Sequence, residues 1–256
     1  MTTASLNVLV SGGSGASGIA TARALRQSGY RVFTVGSDKD RIEAAAAQAG
    51  EGVIPLACDL ASLANVRALH STLTGAHGPI DGVIHLVGGW RGAEGITTQS
   101  DDHWDFLERS AITTLRNVSR VFYDDLAASA IGRFAMISST AVTSPTAGTA
   151  SYVAAKAAAE AWTMAVAAGF TADQRDAPDQ GDAAVQHGAP PQDGTQLRSA
   201  AVVFVVKALV DDAMRKRSPD RKFPGHTDVE DLAAAVVGLF GTPAAELNGR
   251  RLLLAP

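Results

Sequence analysis

At 256 residues, 46% of them hydrophobic, the chain can build a core without staples, as one large α/β domain or two small ones. Its 26 acids against 22 bases leave a net charge of −4 with no basic stripe, which argues against a nucleic-acid partner. One cysteine, Cys58, excludes an intramolecular disulfide framework; no signal-peptide pattern opens the chain, and the longest apolar run, Ala200–Val206, is far short of a membrane span, so a soluble cytoplasmic protein is expected.

Leu6–Val10 reads as a strand that runs straight into "SGGSGASGIA". Ile19 to Gln27 reads as a helix closed by Ser28-Gly29. Strands follow at Tyr30–Val35, Gly52–Ala57 and Ile80–Val87, separated by helices over Asp38 to Ala49 and Leu63 to Leu73. Asp101 to Ser129 is mostly helical, Arg133–Ile137 is a fifth strand, and Thr149 to Ala168 is an Ala-rich helix. Ala201–Val206, a helix over Asp228 to Phe240 capped by Thr227, and a short strand over Arg251–Ala255 complete the series. This alternation predicts a single doubly wound, Rossmann-type parallel sheet of about seven strands with helices on both faces. Thr171 to Ser199 has no apolar period and reads as a polar insertion or lid.

The glycine stretch admits more than one reading. Gly13 to Gly18 fits GxGxxG, and Gly12 to Ala16 nearly fits the GxSxG elbow of hydrolases. Only one strand precedes it, where an elbow needs several. An NTPase loop would need Lys after the last Gly, but Ile19 and Ala20 stand there. A strand before and a helix after suit a turn that lays backbone N–H groups against a pyrophosphate. Small or polar residues also follow the other strands: Ser37-Asp38, Asp59, Gly88-Gly89 and Ser138-Ser139-Thr140. They collect on the sheet edge where such folds bind ligands.

Tyr152 and Lys156 stand one helical turn apart on one face. An ammonium beside a phenol lowers the phenol pKa, which suits a general acid acting on a carbonyl oxygen. Ser139 lies thirteen residues upstream, at the end of the fifth strand, where its hydroxyl can face the same edge. The ordered set of glycine turn, Asp59, Gly88-Gly89, Ser139 and Tyr152-x-x-x-Lys156 resembles the short-chain dehydrogenases/reductases, over about residues 5–168 and 228–256.

The resemblance implies a Rossmann-type oxidoreductase that binds NAD(H) or NADP(H). It assigns Tyr152 as acid/base, Lys156 as its partner and ribose ligand, and Ser139 as the group that positions the substrate oxygen, with Ser138 a weaker candidate. Ser11, Gly12, Ser14, Gly15, Ala16 and Gly18 would form the pyrophosphate turn. Asp59 would bond the adenine with Leu60 beside it, and Gly88 and Gly89 would let the backbone pass the nicotinamide ribose. Ser37 suits a 2′-phosphate and Asp38 a ribose hydroxyl; with Lys39 and Arg41 nearby, the balance leans to NADP(H) over NAD(H). A homodimer or homotetramer and a small carbonyl or alcohol substrate are also implied.

The chain departs from the family pattern in places. Leu86-Val87-Gly88-Gly89 stands at the family's NNAG motif, and Ala111 falls near the usual helix Asn that holds a relay water. These losses raise a second reading, a nucleotide-binding regulatory protein that does not catalyse. An α/β hydrolase using Ser14 is a third. Trp90, Trp104 and Phe106 line a substrate pocket or serve packing. The six histidines show no metal-ligand spacing, so no metal is expected, and His85 reads as a core group.

Overall fold

The computed structural model describes residues 5–175 and 197–254. In chain order the elements are β1 (Asn7–Ser11), α1 (Ala16–Gln27), β2 (Arg31–Gly36), α2 (Lys39–Ala49), β3 (Ile54–Ala57), α3 (Leu63–His77) and β4 (Gly82–His85). Then follow α4 (Asp101–Leu107), a π-helical turn (Glu108–Thr113), α5 (Thr114–Ala128), β5 (Arg133–Ser139) and α6 (Ala150–Arg175). The last part holds β6 (Ala200–Val206), β7 (Leu209–Val210), α7 (Asp212–Arg217), β8 (Thr227–Asp228), α8 (Val229–Gly238), α9 (Ala244–Leu247) and β9 (Arg250–Leu253).

Seven strands form one parallel sheet in the order β3-β2-β1-β4-β5-β6-β9. The chain winds outward from β1 in one direction, then returns to β4 and winds in the other. The crevice for a ligand therefore opens between the carboxyl ends of β1 and β4. The period-two geometry of strands sorts the core into two layers. Leu9, Val83, Phe134, Met136 and Val203 face α3, α5 and α6. Val8, Val10, Ile84, Ala135 and Val202 face α1, α2 and α8. Both faces are covered, so the strands are apolar throughout rather than alternating apolar with polar.

Helix starts follow local chemistry. Asp38, Ser62 and Asp228 cap α2, α3 and α8 by accepting from the N–H groups of Arg41, Asn65 and Glu230. The cap of α8 is thus Asp228 and not Thr227, whose hydroxyl instead donates to the Leu254 carbonyl at 2.5 Å. The polar stretch read from Thr171 begins inside a helix: α6 continues to Arg175, seven residues past the expected end at Ala168. Phe170 and Gln174 supply buried positions there that the Asp- and Gln-rich composition hides. The remainder of that insertion, 176–196, lies outside the described residues. The small β7–β8 sheet and α7 were not legible as elements, being only two to six residues long.

At the end of the sheet opposite the crevice, Arg133 is buried and satisfies carbonyls from separate segments. Its guanidinium donates to Leu239 at 2.7 Å, and to Arg198, Gly132 and Thr242 at 2.8 Å each. Replacing it leaves those acceptors unpaired in the interior. Arg133→Met is expected to lower the unfolding free energy by about 3 kcal/mol in urea titration, with an unchanged m value.

Candidate active site

The glycine turn is shaped by close approach. Gly12 has φ +82, and a Cβ there would lie 2.8 Å from the Leu86 carbonyl carbon of the segment after β4. A Cβ on Gly18 would lie 2.5 Å from the Gly12 oxygen. The two positions let β1, α1 and the end of β4 converge. Gly12 and Gly13 donate to the Val35 carbonyl at 2.9 and 3.1 Å, fixing the turn to β2. Gly15 caps α1 without a side-chain hydrogen bond among the described residues, and the first turn holds no acid. The N–H groups and positive end of a twelve-residue helix are left for an anion.

A cleft of about 560 Å³ opens over this turn. Gly12, Ser14, Gly15 and Ser17 line one wall, and Ser37, Asp38 and Arg41 the end of β2. Asp59 and Leu60 follow β3, Gly88 follows β4, and Phe106, Arg109, Ser110 and Thr114 come from α4 to α5. Its glycine floor, helix terminus and elongated set of polar walls fit a dinucleotide. Asp59 caps its own turn by accepting from Ala61 N–H at 3.0 Å and pairs with Arg109 at 2.8 Å. Cys58 also lines the cleft, but burial, with the Asp59 charge, pushes its thiol pKa up and keeps it un-ionised.

Beside the cleft stand Ser139, at the end of β5, and Tyr152 and Lys156, on α6. Ser139 accepts from Ala141 N–H at 3.2 Å, which fixes its hydroxyl, and it stands close enough to Tyr152 to favour the phenolate by hydrogen bonding. Burial outweighs that effect and raises the Tyr152 pKa. Lys156 is buried and donates to the Ile137 carbonyl at 2.8 Å. Burial pushes its pKa down to about 8, with the Glu160 carboxylate one turn on opposing the shift. Two contacts join this set to the cleft. A Cβ on Gly88 would lie 3.3 Å from Lys156 Nζ, and Phe106 packs in one cluster with Tyr152 and Ala111.

A family model described as short chain dehydrogenase matches residues 6–174. The chain belongs to this family. Short-chain dehydrogenases are oxidoreductases, and the fold agrees with solved members. A short-chain type dehydrogenase/reductase from Mycobacterium ulcerans superposes with a TM-score of 0.79 at 18% identity, over 97% of this chain and 88% of that one. NAD+-bound xylitol dehydrogenase gives 0.76 at 18% identity, over 98% and 96%. A variant of actinorhodin polyketide ketoreductase with NADPH gives 0.76 at 18% identity, over 99% and 97%. Among curated proteins no sequence match reaches significance.

Ser11, expected in the pyrophosphate turn, has a fully buried side chain that does not line the cleft, because the strand still runs at that residue and its pleat turns the hydroxyl inward. Gly18 shapes the turn from inside α1 and Ala16 is the exposed first residue of that helix; neither lines the cleft itself. Ser138 is likewise sealed, its hydroxyl without a partner among the described residues; Ser139, also buried, is the serine that stands near Tyr152. The Lys156 charge does not lower the phenol pKa as expected; burial dominates, and Lys156 spends a hydrogen bond on Ile137. Asp38 lies at the end of β2, but its carboxylate caps α2. Arg109 and Thr114 went unrecognised because no motif marks them: they reach the cleft only through the register of the π-helical turn. Among the described residues no helix is long and apolar enough to cross a membrane.

Lys156 has a thermodynamic signature. Below about pH 8 both folded and unfolded chains carry its charge, and folding bears the full cost of burying it. Above that, the folded chain releases the proton first, so the cost declines as pH approaches the ordinary lysine value of 10.5. Lys156→Met is therefore expected to raise stability at neutral pH by about 1–3 kcal/mol, with a gap over wild type that closes with rising alkalinity. Thermal unfolding across a pH series checks this.

Proposed function

We propose that this short-chain dehydrogenase reduces the carbonyl group of a small molecule with NADPH, using Tyr152 as general acid, and runs the reverse oxidation of the alcohol with Tyr152 as base. The observation that carries the reading is the meeting of Ser139, Tyr152 and Lys156 beside the cleft built on the glycine turn. When bound there, a nicotinamide dinucleotide supplies or accepts the hydride. Ser139 holds the substrate oxygen by hydrogen bonding. Tyr152, kept protonated by burial, gives its proton to that oxygen as negative charge develops on it. Lys156, an ammonium at neutral pH, stabilises the tyrosinate that results. The raised phenol pKa favours the reductive direction near neutrality, since oxidation has to start from the phenolate.

Preference for the 2′-phosphorylated cofactor is supported by the end of β2. The Asp38 carboxylate is occupied by the Arg41 N–H at 2.9 Å, while Ser37 and Arg41 line the cleft. The apolar surface between α5 and α6, around Tyr123, Trp162 and Val166, supports assembly as a homodimer or homotetramer.

A screen of ketones and alcohols with both cofactors is expected to reveal NADPH-dependent turnover. Tyr152→Phe is expected to reduce kcat by about 10³-fold while leaving NADPH binding within about twofold. Unchanged turnover in that variant would remove the assigned mechanism. Cofactor binding with no turnover across the screen would favour a regulatory protein instead. Arg41→Ala is expected to weaken NADPH about tenfold and leave NADH unaffected, read by fluorescence titration.

A further inference from the structure

The segment that leaves β4 carries a cation that the proposed reaction does not use. Its start is packed against the site: a Cβ on Gly88 would lie 3.3 Å from Lys156 Nζ, and one on Gly89 would lie 2.7 Å from the Phe106 ring. Two residues on, the Arg91 guanidinium lies over that ring, 3.9 Å from its centroid. Phe106 itself lines the cleft and packs in one cluster with Tyr152. Further along, the segment is pinned to the residues just before Tyr152. Ala93 N–H donates to the Gly148 carbonyl at 2.9 Å. The Gln99 amide donates to the Ala147 carbonyl at 2.9 Å and accepts from the Ser151 hydroxyl at 2.6 Å. Arg91 is thus held, from both ends of its segment, in the same frame as Tyr152.

This guanidinium is tethered but unspent. Arg91 is half-buried, and Nη1 donates to the neighbouring Trp90 carbonyl at 2.8 Å. Among the described residues it makes no other hydrogen bond and no ion pair, although α4 carries Asp101, Asp102 and Asp105. Stacking on a ring occupies one face of a guanidinium and leaves its in-plane donors open. Those donors form a planar fork that takes both oxygens of a carboxylate at once. Trp90 stands beside it, 64% exposed, with its ring folded back over Gly92 at 2.6 Å from a Cβ position there. The mouth of the site therefore has a flat apolar wall and one positive corner.

We propose that Arg91 selects the substrate: the carbonyl compound taken here carries a carboxylate, held by the Arg91 fork, and an apolar body laid against Trp90. The proposal rests on the reductase reading for the reaction, and not for the binding. The carboxylate is a spectator. The carbonyl carbon takes the hydride of NADPH, the carbonyl oxygen takes the proton of Tyr152, and the carboxylate keeps its charge. An ester of the same shape forfeits the charge-assisted hydrogen bonds to the fork, so acid and ester are told apart at this one residue.

Benzoylformate and its methyl ester, aryl ketones that differ in this charge, test the proposal on the full chain. Calorimetric titration in the presence of NADP+ should show the acid binding about tenfold or more tighter than the ester. Arg91→Gln should erase that difference, and Arg91→Lys, which keeps the charge and loses the fork, should retain part of it. Trp90→Ala should weaken acid and ester alike. In steady-state assays, Arg91→Gln should raise KM for the acid about thirtyfold, with kcat within about threefold and KM for the ester and for NADPH within about twofold. No preference for the acid in the wild type overturns the proposal. So does equal loss for acid and ester in Arg91→Gln, which would reduce Arg91 to packing on Phe106. A rise confined to KM for NADPH also overturns it, by assigning Arg91 to the cofactor. Arg91-dependent binding of the acid, with no reduction of it or of any ketone screened, would leave the carboxylate site standing and count against the reductase reading instead.

Discussion

Everything at the carboxyl edge of the sheet depends on how closely three backbones approach one another. A single methyl group on Gly12 would strike the chain after β4, and one on Gly18 would strike the turn itself. Where those contacts close, the amino end of α1 is brought over the crevice between β1 and β4, and the N–H groups of its first turn face the cleft. The fold thus presents a helix terminus to the cleft through steric economy before any charged side chain is involved.

The second constraint is the interior position of an ammonium. Lys156 is enclosed by α6, the end of β5 and Gly88, and it keeps one backbone carbonyl as partner. Burial raises the pKa of the phenol one turn away and lowers that of the amine to about 8, so two groups of nearly equal proton affinity in water are drawn apart, and the phenol becomes the one that holds its proton more tightly. The arrangement is costly to fold, and its cost falls at a place where packing alone would favour a hydrocarbon chain.

The sequence was most informative where chemistry is local. The strand–glycine–helix order, the Tyr152 and Lys156 spacing and the apolar strands all follow from periods of two and 3.6 residues, and they located the crevice and the side chains around it. It was least informative where function depends on contact between distant segments. Arg109 meets Asp59 across 50 positions, and His85 meets Thr114 across 29. Neither pair belongs to a motif. The sealed hydroxyl of Ser11 shows the same limit at short range, since one residue of strand extension decides whether a side chain enters the cleft or the core. The extension of α6 to Arg175 was hidden by composition, because only Phe170 and Gln174 betray a buried face there.

Gln174 has a consequence for how this molecule can vary. Its amide oxygen accepts from the backbone of Arg198 at 2.8 Å and Ser199 at 3.2 Å; its nitrogen donates to Ser199 Oγ at 2.7 Å and to Ala127 at 3.0 Å. The point where the chain leaves α6 and the point where it enters β6 are therefore clasped together, independent of what joins them. Because closing a longer loop costs only slowly more entropy, the clasp makes this the natural graft point of the molecule. Segments of other lengths, or a whole foreign module, could be spliced in here while the sheet and its crevice stay as they are.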